Sequence, residues 1–197
     1  MNTFATLLLT LCVGVASLGF ITRLDDPKPA EKKIKWMTIE EAFTAQQKKP
    51  KKIFVDVYTD WCGWCKVMDR NTFTNPVIAD YMNEHYYSVK LNAEGKEDIK
   101  LGDRVYKSMG NVHELAATLL KGQMSYPTTV YLNEKMELIQ PVPGYLEPRM
   151  FHQIVTWFGS NSHTKEEFEK FKAGTYVKSF QDKLPNPSAQ APAAVAH

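Results

Sequence analysis

Residues 52–58 (KIFVDVY) are β-branched, aromatic and almost continuously apolar, which predicts a strand buried on both faces and hence a central strand of an α/β sheet. Upstream, residues 34–37 fit a short edge strand, and Thr38 followed by Glu41 is a capping box that opens a helix to about Gln47. Downstream, residues 66–70 contain no helix breaker, and Asn75-Pro76 supplies an N-cap with proline in the first turn for a helix through Ile78, Tyr81 and Met82. Residues 86–91 read as the next strand. Residues 97–124 read as helical in two pieces interrupted at Gly110-Asn111, with Val112, Leu115, Leu119 and Leu120 as the apolar stripe of the second. Residues 128–132 and 136–142 predict a hairpin about Asn133-Glu134-Lys135, followed by a helix over 147–158 and an amphipathic one over 164–171. Alternation that ends in a hairpin and a helix predicts an α/β fold, with a central mixed sheet flanked by helices.

The ends differ from this middle. Residues 4–21 carry no charge and are rich in Leu, Val and Ala, as in a signal peptide or an N-terminal membrane anchor over 1–19. Cleavage after Ala16 or Gly19 satisfies the small-residue rule, while about 18 apolar residues also suffice to span a bilayer. Either way export is expected, with membrane contact only through this segment if it is uncleaved. Cys12 does not mark a lipoprotein, because Leu11 before it is too bulky and nothing basic precedes it. Residues 20–33 read as a linker, 34–175 as the domain, and 176–197 as a flexible tail whose end is rich in Pro, Ala, Ser and Gln. The net charge of +2 gives no reason to expect nucleic acid as a partner, and Lys48, Lys49, Lys51 and Lys52 around Pro50 read as a solvated loop.

The chain has three cysteines, and loss of the leader leaves Cys62 and Cys65 alone. A pair this close in sequence closes almost no loop, so it adds little stability and its purpose is chemical. In Trp61-Cys62-Gly63-Trp64-Cys65, lying between a buried strand and a helix, Cys62 falls at a helix N-terminus, where free N–H groups and the dipole favour a thiolate. The thiolate is the attacking form, and an unperturbed thiol ionises only near ~8.5. Cys65, one turn on, is expected to be the more buried, resolving thiol. Trp61 and Trp64 either pack or form an exposed apolar rim for peptide substrates. Half of a zinc site is the competing reading of the pair, but His85, His113, His152, His163 and His197 show no ligand spacing, so no metal is expected.

VDVYTDWCGWCK resembles the active-site segment of the thioredoxin family, with Trp64 where thioredoxin itself has proline. Asp56, six residues before Cys62, matches the family's buried acid, which takes the proton of the resolving cysteine; Lys90 matches the lysine beside it. Tyr126-Pro127-Thr128 resembles the cis-proline loop that binds incoming peptide, and Gly144 the glycine that closes the substrate groove. The resemblance covers residues 36–158 and is nearest to periplasmic domains of the DsbD C-terminal type. It implies a thioredoxin fold carrying an inserted helix before the cis-proline loop, over residues 112–120, and an extra C-terminal helix. It further implies a monomeric thiol–disulfide oxidoreductase, periplasmic or membrane-anchored facing the periplasm, that acts on protein or peptide disulfides. No cofactor is needed beyond the redox-active Cys62–Cys65 disulfide. From the DsbD likeness the reducing direction is expected, with a membrane electron donor as partner. A thioredoxin-fold binding module and a metal carrier without turnover are the alternatives.

Overall fold

A computed structural model describes residues 32–180 and 183–184. The expected leader, nearly all of the linker and the end of the tail lie outside the described residues. In chain order the elements are β1 (Trp36–Met37), α1 (Ile39–Lys48), β2 (Lys52–Tyr58), α2 (Gly63–Asn71), α3 (Pro76–His85), β3 (Tyr86–Asn92), β4 (Ile99–Leu101), β5 (Arg104–Tyr106), α4 (Glu114–Leu119), β6 (Thr128–Leu132), β7 (Leu138–Pro143), α5 (Pro148–Gly159), a 3-10 turn (Ser162–Thr164), α6 (Phe168–Ala173) and α7 (Thr175–Phe180). Capping chemistry starts the helices where the sequence placed them. The Thr38 hydroxyl accepts the Glu41 N–H at 3.1 Å while the Glu41 carboxylate accepts the Thr38 N–H at 2.8 Å, and Asn75 accepts the amides of Val77 and Ile78.

Five strands form the expected mixed sheet in the order β1-β3-β2-β6-β7, with β1 and β3 parallel to β2 in direction and β6 antiparallel to it. Because β2 is central and covered on both faces, its residues from Lys52 to Val57 are all buried. Strand alternation divides them between two cores. Ile53, Val55 and Val57 join Ile39 of α1, Val89 and the α4 residues Leu115 and Leu119. Phe54 faces the other way, into a cluster with Met68 of α2, Ile78 of α3, Tyr131 and Phe151 of α5. Asp56 shares the face of Phe54, two residues on.

The structure corrects five local expectations. The first half of residues 97–124 is not a helix but the β4–β5 hairpin, which turns through Gly102 at φ +61 and pairs Ile99 with Tyr106. The second half is a helix, though only over Glu114–Leu119, capped by the His113 ring. The helix expected over 164–171 begins later, at Phe168 after the N-cap Glu167; ahead of it the chain makes the 3-10 turn, and the Glu166 carbonyl accepts the Trp157 indole N–H. The tail expected from 176 onward instead starts as α7, because Tyr176 and Phe180 lie one helical turn apart: the Tyr176 ring is fully buried, its hydroxyl is 2.9 Å from His152 Nδ1, and Phe180 packs edge-on against the His152 ring. Leu184 is also buried, and Arg149 donates to its carbonyl. Finally, the lysine run is not wholly solvated. Lys52 is buried against Glu134, and Lys51 donates to the Asn83 carbonyl at 2.9 Å above the Tyr87 ring.

Candidate active site at the start of helix α2

β2 delivers the chain directly to the cysteine pair. After Tyr58 the backbone turns, with the Cys62 N–H donating to the Thr59 carbonyl at 3.1 Å. Cys62 then becomes the N-cap of α2, and its Sγ accepts the Cys65 N–H at 3.1 Å. The first turn of this helix contains no acid, so nothing there neutralises the positive end of the helix at the sulfur. Cys62 and Cys65 are joined as a disulfide. Both are buried, Cys62 at 4% and Cys65 at 3% exposure, so Cys65 is the more buried of the two by a small margin in the closed disulfide.

Two indole rings stand out beside them, Trp61 at 66% and Trp64 at 62% exposure. Neither is a loose arm. Trp61 meets Tyr126 edge-on, with centroids 5.9 Å apart, and its N–H donates to Glu94 at 3.1 Å. Trp64 leans on Tyr145 at 5.3 Å. The Tyr126–Pro127 peptide bond is cis, Pro127 is buried, and its carbonyl accepts the Gly144 N–H at 2.8 Å. Gly144 has φ +96, a conformation that side chains other than hydrogen resist. Trp64, Tyr126, Pro127, Gly144 and Tyr145 together line an apolar groove of about 330 Å³. The residues expected to bind substrate are thus brought together, with Tyr145 added to them.

Asp56 sits in register with Lys90 on β3 and Thr129 on β6. It is only 1% exposed. Its Oδ2 accepts from Lys90 Nζ at 2.6 Å, while Oδ1 has no hydrogen-bond partner among the described residues. Burial raises the carboxyl's pKa, the Lys90 ammonium opposes this, and the outcome is a value of about 6. For Lys90 the balance tips the other way: burial disfavours its charge, but Asp56 and Asp69 outweigh burial and its pKa is raised. The rings of Trp36, Phe73 and Tyr58 lie 4.9, 5.0 and 5.4 Å from the Lys90 nitrogen and enclose the cation. Sequence reasoning missed Asp69, whose carboxylate also accepts from Lys90. The available signal was its position, one helical turn after Cys65 on the helix that the cysteines begin. It also missed Glu94, which nothing local in the sequence ties to Trp61.

No group of three or more His, Cys, Asp or Glu side chains among the described residues is arranged to hold a metal ion. His197 lies outside them. The site thus offers two sulfurs in bonding reach of each other, a helix terminus that favours an anion, and a buried acid that ionises near neutral pH.

Rat spermatogenesis-associated protein 20 is 31% identical over 98 residues, which is 50% of this chain and 11% of that protein, so the chain spans about a tenth of the length of the curated relatives it matches. A thioredoxin-fold protein from Helicobacter pylori has a solved structure that superposes with a TM-score of 0.50 at 14% identity, covering 71% of this chain and 96% of that one; the two share the fold. The oxidised DsbD C-terminal domain of Neisseria meningitidis gives a TM-score of 0.41 at 21% identity, over 61% and 90% of the two chains. The model of the thioredoxin-like DsbH family, described as a protein of unknown function, DUF255, matches residues 27–158, and the chain belongs to that family.

Proposed function

We propose that the chain is an exported thiol–disulfide oxidoreductase that reduces protein or peptide disulfides through Cys62 and Cys65. The observation that carries this reading is the joined pair at the acid-free start of α2, reached from the strand that holds the protonatable Asp56. In the reduced protein the Cys62 thiolate attacks one sulfur of a substrate disulfide, forming a mixed disulfide and expelling one substrate thiolate. Cys65 then gives its proton to the Asp56 carboxylate and attacks Cys62 Sγ. The Cys62–Cys65 bond forms, the Cys62–substrate bond breaks, and a second substrate thiolate leaves. The substrate gains two electrons, the protein loses two, and both substrate thiolates take up protons from water. The groove over Pro127 and the Trp61 and Trp64 rim would hold an extended segment of substrate. The reducing direction rests on the DsbD-like active-site segment, and it requires an electron donor to restore the dithiol, for which a membrane protein is the proposed source.

The test is a Cys65→Ser variant, which can form the mixed disulfide but not resolve it. Incubated with peptide disulfides, it should accumulate adducts on Cys62 that a Cys62→Ser variant lacks. The wild type should reduce the same peptides when dithiothreitol supplies electrons, and equilibration with glutathione should give a potential nearer the roughly −270 mV of thioredoxin than the roughly −120 mV of DsbA. Absence of adducts under every redox condition would leave a binding module as the better account, and a potential near the oxidising end would reverse the direction.

A further inference from the structure

Lys90 is held by two carboxylates rather than one. Asp56, on β2, is buried; Asp69, on α2, has a side chain 47% exposed, and the Lys90 side chain between them is 24% exposed. Beside them lies a cavity of about 360 Å³, lined by Lys33, Trp36, Asp69, Phe73, Thr74 and Lys90. This cavity shares no residue with the groove over Pro127. The sheet order explains why: Lys90 and Trp36 lie on the β3 and β1 side of β2, whereas Pro127 and Gly144 adjoin β6 and β7 on the other. Water therefore reaches the ion pair from a side that a substrate in the groove does not cover.

Resting on the oxidoreductase reading above, we propose that Asp69 is a positioning residue for the resolving step: by sharing the Lys90 ammonium it weakens the hold of Lys90 on Asp56 and keeps the buried carboxyl able to take the Cys65 proton. The electrostatics run the same way. Lys90 lowers the proton affinity of Asp56, and Asp69 raises it both by its own charge and by competing for Lys90. The other titratable groups facing the cluster are Lys33 ahead of β1, Tyr58 on β2 and Tyr131 on β6. The two tyrosines are held neutral at working pH, since burial pushes the pKa of each up. Asp56, its pKa raised to about 6, is thus the buried group here whose charge changes close to neutrality.

The experiment follows the Asp56 carboxyl carbon by NMR across pH in the oxidised full chain, which needs neither substrate nor turnover. Asp69→Asn should lower the Asp56 midpoint by about one pH unit, Asp69→Glu should restore it, and Lys90→Gln should raise it. In single-turnover resolution of the Cys62 mixed disulfide, the pH at which the rate breaks should move down with Asp69→Asn by the same amount. An Asp56 midpoint unchanged or raised in Asp69→Asn overturns the proposal, as does a Lys90→Gln midpoint that does not rise. If the titration shifts as stated but no mixed disulfide ever forms, the control of the Asp56 midpoint by Asp69 stands, while the oxidoreductase reading fails and the part of Asp69 in resolution fails with it.

Discussion

Replacing Asp56 with Asn should stabilise the oxidised protein, and by an amount that depends on pH. The buried carboxyl has its pKa raised from an ordinary 3.8 to about 6. Between those values the folded state keeps the proton that the unfolded state has lost. Stability from this group is thus fully present at low pH and is lost as pH rises through about 6. At about 1.4 kcal/mol per pH unit, the loss amounts to ~3 kcal/mol above pH 7. Asn never ionises, so the variant escapes this loss, and Lys90 keeps Asp69 as a partner and remains in reach of water. The wild-type curve alone is a poor guide, because His152 titrates in the same window with the opposite sign. Burial lowers its pKa from 6.5 to about 4, the unfolded state then binds the extra proton, and stability rises with pH. This contribution cancels in the difference between the two proteins. Urea unfolding of both at pH 3.5 and pH 7.5 should show the advantage of the Asn variant growing by ~3 kcal/mol. An advantage that is the same at both pH values would refute the burial argument for Asp56.

Other consequences can be checked separately. In the reduced protein, alkylation of Cys62 followed against pH should show it ionising below the ~8.5 of a free thiol, since it caps an acid-free helix start; a midpoint at or above that value contradicts the assignment of Cys62 as nucleophile. Trp64→Ala, which opens the groove wall against Tyr145, should raise KM for peptide disulfides several-fold while leaving turnover of small disulfides nearly unchanged, as steady-state kinetics on both would reveal. Gly159→Ala should destabilise the fold by about 1–3 kcal/mol, because an added Cβ would lie 2.5 Å from the Tyr81 hydroxyl oxygen; thermal unfolding that matches the wild type would show that Tyr81 moves aside freely. Tyr176→Ala should cost roughly 3–5 kcal/mol, as expected for a large buried ring, and denaturant unfolding without such a loss would mean that α7 does not belong to the folded unit.

The sheet and the cysteine site were legible in the sequence for the same reason: their signals are local. A run such as KIFVDVY, a capping box or a CGWC at a strand–helix junction carries its meaning within a dozen residues. The partnership of Asp56 with Lys90 was readable only through family resemblance, since 34 residues separate them and nothing near either announces the other. The β4–β5 hairpin was missed because each of its strands is three residues long, too short for an alternation to outweigh a helical pattern, and only Gly102-Asp103 marked the turn. The docking of α7 depended on a histidine and a tyrosine 24 residues apart, a contact that no period within the tail encodes.

The outermost strand of the sheet has a further consequence. β7 contains Pro141 and Pro143, which have no amide hydrogen to offer a neighbouring chain, while at the opposite margin β1 is only two residues long. Both margins therefore offer few free amide hydrogens in a row, so another extended backbone finds little to pair with at either end of the sheet.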